Sequence, residues 1–599
     1  MNESNSASKS AVFDATYSMF FERMIGYRSK VISATTAYRK VLMLETHTPK
    51  AILNSKIFLY LTEFFSGMAV MAAELGAQRL LAPYFSSSQI VWTIIIGTIM
   101  IAMALGNVWG GRQADKNPDP DHLYRRIMFA AVWLALVPLV GKYIIIAISG
   151  VLIVTISTNF LILAAFISCM VIFVPPLFLL GTVTPGLVKF TTDSLKNNAT
   201  IVGRLGACNT IGSILGTFLP TFLTIPTVGT FVTFLIFAGI LLALPLVYFF
   251  SGRTYIITSI ACIVLFAASA IVSPLSGFAF WERNLAYEGE SEYNYLQVKD
   301  LSDRTILSTN VLFGVQSVTM KAGGLTGLYY DTALAAPAFA AHANSALILG
   351  MGTGTYARQL REYYPKMAIT GVEIDQAITK LADRYFKEPS DIPVSTYDGR
   401  AWLASDAQKY DVIMVDAYQD ITIPFQMSST EFFNLVRDHL NPGGVMVVNM
   451  NMISDGKGSI NEALEATISS VFENGAGTNR SASSPLVATA DVPDTTNREL
   501  FAKKPLNQSD GLSFESLPET AVQRTRSGDL ADAMSSVTLR LIPVKYASAM
   551  SSYVLTDDKA PVEVLGMRAI DELIKEQAGP YRKILKEQGI SGLMNIATD

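Results

Sequence analysis

The stretch "ALILGMGTGTYARQL" (346–360) brings an apolar run against Gly350, Gly352 and Gly354, and a helix-like pattern follows. A glycine-rich turn between a strand and a helix lets a ligand approach the backbone closely, and it usually holds a nucleotide or nucleoside. The spacing is GxGxG. The dinucleotide pattern would need its third glycine where Thr355 stands, and no Lys-Ser or Lys-Thr follows to make a P-loop. Three further strand ends carry acids. Glu373 closes "GVEID", 19 residues after Gly354, where a carboxylate can accept both ribose hydroxyls. Asp398 lies in "YDGRAWL", where a carboxylate can accept an amine hydrogen from adenine. Asp416 and Asp420 end "YDVIMVDAYQD". In open α/β sheets ligands bind outside these carboxyl ends, so the set points to a nucleoside site.

The elements that must position these residues are legible in the same half. β-like runs occur at 311–322, 346–350, 368–374, 410–417 and 443–451, with helical patterns at 355–364, 375–387 and 428–440. Such alternation predicts a parallel sheet with helices on both faces. The runs 410–417 and 443–451 are apolar almost throughout, as strands buried on both faces require. The segment 277–345 reads as a small β-subdomain ahead of the α/β domain at 346–599. Residues 455–540 read as a loop-rich insertion with some helix, and the end, "AIDELIKEQAGPYRKILKEQG", as helix.

The first half is of another kind. Half of the 599 residues are hydrophobic and 16% are charged, and the mean hydropathy is +0.35. Seven runs are long enough to cross a bilayer: 57–80, 89–108, 127–147, 156–180, 205–225, 229–250 and 255–275. They predict a helical membrane domain over 57–276, behind a polar extension at 1–56 in which 13–43 could form an amphipathic surface helix. The first run carries Glu63 and Glu74, with Arg79 near its end. Charges there face protein or water, as an ion or substrate path or as structural pairs near the interface. Lys and Arg number twelve on the N-terminal side of the spans and four on the other. The positive-inside rule then puts the N-terminus in the cytoplasm and leans the C-terminal half outside it, in a multi-pass cell (inner) membrane protein.

A net charge of -4 and the lack of a long basic run give no sign of a nucleic-acid partner. The three cysteines, Cys169, Cys208 and Cys262, lie in apolar runs, and the four histidines are scattered, so no metal is expected.

Region 288–450 resembles spermidine synthases, the aminopropyltransferases built on a methyltransferase-like fold. The matching pieces are "SEYNYLQV", "GVQS", "YYDTALAAP", "LILGMGTGT", "GVEID", "YDGRAWL" and "YDVIMVDAYQDITIPF". The apolar half, with "ELGAQRLLAPYF", "ALGNVWGGRQAD", "LGTVTPGLV" and "GRLGACNTIGSILG", is similar to the membrane-fused members, as is "LTDDKAPVE" (555–563). The resemblance implies a transmembrane bundle of about seven helices followed by a Rossmann-like domain of the spermidine-synthase/methyltransferase type. It implies that decarboxylated S-adenosylmethionine, or S-adenosylmethionine itself, is the co-substrate, and that a small amine or polyamine is the acceptor. The bilayer would be a partner, and a homodimer fits the class.

Laid on these residues, the resemblance gives Glu373 the ribose, Asp398 the adenine, and Asp416 the role of catalytic aspartate that takes the proton of the attacking amine. Tyr330 stands beside the amine, Gln316 and Asn294 face the ligand, and Asp420 and Asp331 fall on acceptor-side positions. Three departures stand out. Thr353 replaces the aspartate of the family's GGGDGG, the DxxD spacing is one residue longer, and "YDT" replaces Tyr-Gln or Tyr-His. An S-adenosylmethionine-dependent methyltransferase, or a non-catalytic sensor, transporter or assembly protein, stays open beside aminopropyl transfer.

Overall fold

The long apolar runs fold as helices because a helix satisfies its own backbone hydrogen bonds within one segment. The structure, a computed structural model, describes residues 53–598 apart from 54, 86–87, 157, 192–197, 276, 283–284, 312–314, 388–390, 418–422, 455, 474–484, 508, 514–526 and 545–553. The expected N-terminal extension, its 13–43 helix and Asp420 lie outside the described residues. The first helices are α1 (Lys56–Phe85), α2 (Gln89–Lys116) and α3 (Pro120–Thr155). The next leg is broken into α4 (Phe160–Ile172), α5 (Val174–Gly181) and α6 (Val183–Thr191). Then follow α7 (Asn198–Leu219), α8 (Ile225–Gly252) and α9 (Ile256–Val272).

Six described helical stretches are long and apolar enough to cross a membrane by length and composition. One of them, Asn198–Gly252, has 55 residues and contains two legs. At Gly229 the backbone takes φ 80° and ψ 170°, outside helical space. The Thr233 hydroxyl then donates to Thr224 Oγ1 at 2.9 Å, whereas a straight helix holds residues nine apart at about 13.5 Å. The chain therefore doubles back here. With the broken α4–α6 leg, the bundle has seven legs among the described residues, matching the seven apolar runs of the sequence.

The legs alternate in direction. Lys189 with Asp115 (3.2 Å) and Tyr248 with Asp121 (2.6 Å) tie one end together. At the other end α1 meets the polar half: the Pro83 carbonyl accepts from Val311 N, and Arg79 donates to the Ser291 carbonyl at 3.1 Å. So α1 starts at the end remote from the polar half. Glu63 accepts from Thr184 (2.6 Å) and Asn209 (2.8 Å), joining three legs, while Arg79 is held by backbone carbonyls rather than by a carboxylate in its own helix. Large apolar side chains such as Met100, Ile101 and Val264 are about 60% exposed on the outside of the bundle.

The polar half opens with an antiparallel sheet of β1 (Leu285–Glu290), β2 (Tyr295–Asp300), β3 (Arg304–Ser308) and β4 (Ser317–Met320). Two short helices, α10 (Tyr329–Ala333) and α11 (Ala335–Phe339), follow, so the 277–345 segment is not purely β. The α/β part contains β5 (Ser345–Leu349), α12 (Thr355–Tyr363), β6 (Ala368–Glu373), α13 (Gln376–Leu381), β7 (Val394–Thr396), α14 (Gly399–Ser405), β8 (Tyr410–Val415), α15 (Thr430–His439) and β9 (Leu440–Met450). After these come α16 (Ile460–Phe472), β10 (Val487–Asp491), β11 (Arg498–Lys503), α17 (Ser527–Arg540), β12 (Ile542–Pro543) and α18 (Val562–Thr598).

The second sheet has the order β12-β10-β11-β9-β8-β5-β6-β7. Strands β9, β8, β5, β6 and β7 pair in parallel, and β11, β10 and β12 add on antiparallel. This corrects the reading of 455–540 as a loop-rich insertion. Its strands complete the main sheet; β10 and β11 are buried under α10, α16 and α17, while the two-residue β12 at the edge stays exposed. The last helix also joins the two halves. The Asp571 carboxylate accepts from Phe160 N (2.9 Å) at the start of α4, and Arg582 donates to the carbonyls of Ile153 (3.1 Å) and Ile156 at the end of α3.

Candidate active site

The parallel strands point their carboxyl ends at one cavity of about 310 Å³, lined by residues that include Asn294, Gln316, Tyr330, Gly350, Gly352, Glu373, Asp398 and Asp416. Eight of the eleven positions singled out from the sequence thus meet in one cleft. Gly354 lies beside it with φ 77° and caps α12. Asp331 does not reach it: its carboxylate accepts from Thr326, from Gly327 N and from Gln359, and so holds the turn before α10. Asp420 lies outside the described residues.

The glycine loop is shaped by close approach. Gly350 has φ 89°, and a Cβ there would stand 2.3 Å from the Asp416 carbonyl oxygen, a contact no side chain survives. Gly352 N donates to Glu373 Oε2 at 2.8 Å, and Asp375 N donates to Oε1 at 3.0 Å. Glu373 is thereby fixed between the loop and the end of β6. Burial pushes its carboxyl up to about 7, against the pull of these backbone bonds. Asp398 caps α14 by accepting from Ala401 N at 2.8 Å. Asn294 is held by Asp375, to which its amide donates at 3.1 Å.

At the other end of the cleft, Asp416 accepts from the Tyr329 hydroxyl (2.6 Å) and from the Asn449 amide (2.9 Å). Asn449 accepts in turn from Asn497 at 2.9 Å. Burial raises the Asp416 carboxyl to about 7, and the two donors oppose that rise. Tyr330 lines the cleft, but its hydroxyl donates to the Gln316 carbonyl at 2.9 Å. The tyrosine on the aspartate is its neighbour, Tyr329.

Sequence reading missed five residues here: Tyr329, Asp375, Asn449, Asn497 and Glu499. Glu499 is fully buried on β11, opposite Asn449, and neither of its carboxylate oxygens has a hydrogen-bond partner among the described residues. Burial and the nearby Asp416 hold it far above the usual carboxylate range. Thr353 is fully buried outside the cavity lining, with its hydroxyl unpaired. It cannot stand in for the aspartate of GGGDGG. Among the described residues no group of three or more His, Cys, Asp or Glu is placed to hold a metal.

The comparisons with known proteins agree with this geometry. The "Spermine/spermidine synthase domain" model matches residues 329–476. A "Probable polyamine aminopropyl transferase" of Bifidobacterium longum is 67% identical over 358 residues, which is 59% of this chain and 78% of that protein. This chain belongs to the polyamine aminopropyltransferase family.

A second family member, the "Polyamine aminopropyltransferase" of Vibrio vulnificus, is 30% identical over 197 residues, 31% of this chain and 65% of its own length. The chain thus spans a smaller share of this more distant relative than of the first. Among solved structures, a probable spermidine synthase from Corynebacterium glutamicum is 19% identical, with a TM-score of 0.34, over 45% of this chain and 95% of that one.

Proposed function

We propose that the chain transfers an aminopropyl group from decarboxylated S-adenosylmethionine to an amine, with Asp416 as the base. The observation that carries this reading is Asp416 itself, held by Tyr329 and Asn449 at one end of a cleft whose other wall is Gly350–Gly352 and Glu373. Glu373 would bind the ribose hydroxyls and Asp398 would face the adenine. An ammonium is no nucleophile until it gives up a proton, and a carboxyl raised to about 7 is matched to accept one near neutral pH. The freed amine lone pair attacks the aminopropyl carbon bonded to sulfur. That C–S bond breaks, its electron pair goes to the sulfonium sulfur, and methylthioadenosine leaves. Sulfur carries its own leaving tendency, so the protein mainly positions and deprotonates.

The name of the Bifidobacterium relative supports a polyamine acceptor. The apolar, outward-facing surfaces of the seven legs support a multi-pass membrane protein. The alternating directions support a reading in which, with the legs spanning a bilayer, the polar half lies on the opposite side from residue 56, and the twelve-to-four charge bias leans that side extracytoplasmic.

The test is Asp416→Asn in the full chain, with decarboxylated S-adenosylmethionine as donor and putrescine or spermidine as acceptor. Turnover should fall about 10²–10⁴-fold, the scale for losing a general base. Methylthioadenosine affinity should stay close to that of the unmodified chain. Undiminished turnover in the variant would remove Asp416 from the mechanism.

A further inference from the structure

A larger cavity, about 510 Å³, lies where the helical bundle meets the polar half. One side is made by the end of α1, the start of α2 and the α7–α8 turn, through Arg79, Trp92 and Ile225 among others. The other side is made by the β1–β2 turn, by Phe425 and Gln426, and by Glu563 of α18. It adjoins the adenosyl cleft: Asn294, Thr309 and Gln426 are among five residues that line both. At this size it falls in the range of small-molecule sites.

Its chemistry is one-sided. Three carboxylates, Glu290, Glu292 and Glu563, face one guanidinium, Arg79. That guanidinium is already engaged, donating to the Ser291 and Glu292 carbonyls. Glu290 accepts from Thr230 N (2.7 Å) and Oγ1 (2.6 Å), so it is fixed in place. Glu292 presents its exposed side chain to the same space. Trp92 and Phe425 supply faces for methylene groups and for cations. Acids alternating with aromatic and aliphatic surface suit a linear molecule with positive ends and an apolar stem.

We infer that this interface cavity binds the acceptor, a linear aliphatic amine cation, and holds it against the adenosyl cleft. The inference rests on the aminopropyl-transfer reading, and it gives the helical bundle a part in substrate binding. The soluble domain alone would then lack half of its acceptor site.

The experiment uses the full chain in detergent micelles or nanodiscs and reads binding by calorimetry. Titrations use 1,4-diaminobutane in the presence of methylthioadenosine, and methylthioadenosine alone. Glu292→Gln removes one charge from the cavity wall, that of an exposed carboxylate beside Arg79, and Trp92→Ala removes an apolar wall. Glu292→Gln should weaken 1,4-diaminobutane about tenfold, the scale of a lost hydrogen bond to a charged group, and Trp92→Ala about two- to fivefold, the scale of a partly exposed cation–π face. Methylthioadenosine should bind within twofold of the unmodified chain, and the uncharged probe 1,4-butanediol should not bind. Unchanged diamine affinity in both variants would overturn the proposal, as would equal losses for diamine and methylthioadenosine. Diamine binding without any methylthioadenosine binding would instead sink the adenosyl reading and leave the cavity assignment standing.

Discussion

Tyr329→Phe removes one oxygen and one hydrogen bond, the 2.6 Å contact to Asp416 Oδ2. That bond stabilises the charged carboxylate and lowers its pKa. A hydrogen bond to a charged group is worth about 1.5–3 kcal/mol, and one pKa unit corresponds to about 1.4 kcal/mol. Losing the bond should therefore lift Asp416 from about 7 by roughly one to two units. The base is the ionised form. At pH 7.5 its fraction falls from about three quarters to between roughly a quarter and a few per cent, a three- to 25-fold loss in kcat/KM. The loss is a protonation effect, so it must shrink as pH rises. The assay is kcat/KM for aminopropyl transfer from pH 6 to 10, taken as the ratio of variant to unmodified chain so that ionisation of the acceptor amine cancels. The acidic limb should move up by one to two units and the ratio should return toward one at high pH. A ratio that is low and flat across the range would refute the electrostatic argument and leave Tyr329 a packing role only.

Glu373→Ala should weaken methylthioadenosine by roughly 1.5–3 kcal/mol in calorimetry, as for lost bonds to a charged group; full retention of affinity would remove the ribose role. Glu499→Leu should raise the thermal midpoint at neutral pH, because the fold holds this carboxyl far above its usual range and both oxygens lack partners. The sign follows from linkage: a raised carboxyl favours the fold below its unfolded value of 4.5, and that contribution is lost as pH climbs above it. The gain should thus shrink near pH 4 to the smaller cost of an unpaired neutral carboxyl, and a gain of equal size at both pH values would contradict it. For sidedness, alkaline phosphatase fused at the C-terminus should be active and a fluorescent protein should stay dark. A bright, phosphatase-negative fusion would put the polar half in the cytoplasm.

The cleft was readable because its parts sit at the tips of consecutive strands, and strands buried on both faces have a strong sequence signature. Gly350, Glu373 and Asp416 each end an apolar run, Asp398 follows the short β7, and the parallel order brings them together. What failed to show depends on longer-range pairing. Strands β10 and β11 are five and six residues long and are flanked by loop-like sequence, so 455–540 looked irregular. With them went Asn497 and Glu499, which approach Asp416 only because β11 lies beside β9. The choice between Tyr329 and Tyr330 is of the same kind. The residues are adjacent, and only the packing of α10 decides which hydroxyl faces Asp416 and which the Gln316 carbonyl. Arg79 was legible as a charge near the end of a span, but its partners, the carbonyls of Ser291 and Glu292, lie more than 200 residues away.

The clasp between α18 and the bundle sets an order for biogenesis. The first amides of α4 and the last carbonyls of α3 are helix-end groups that need outside partners, and Asp571 and Arg582 supply them. Asp571 follows Phe160 by 411 residues, which at about 5–20 residues per second is some 20–80 seconds of synthesis. Throughout that time the α3–α4 turn must be kept by water, lipid headgroups or a chaperone. The bundle is thus clasped only once residues 571 and 582 have been made, so a chain cut short before residue 571 leaves that turn without its partners and gives a quality-control protease a recognisable target.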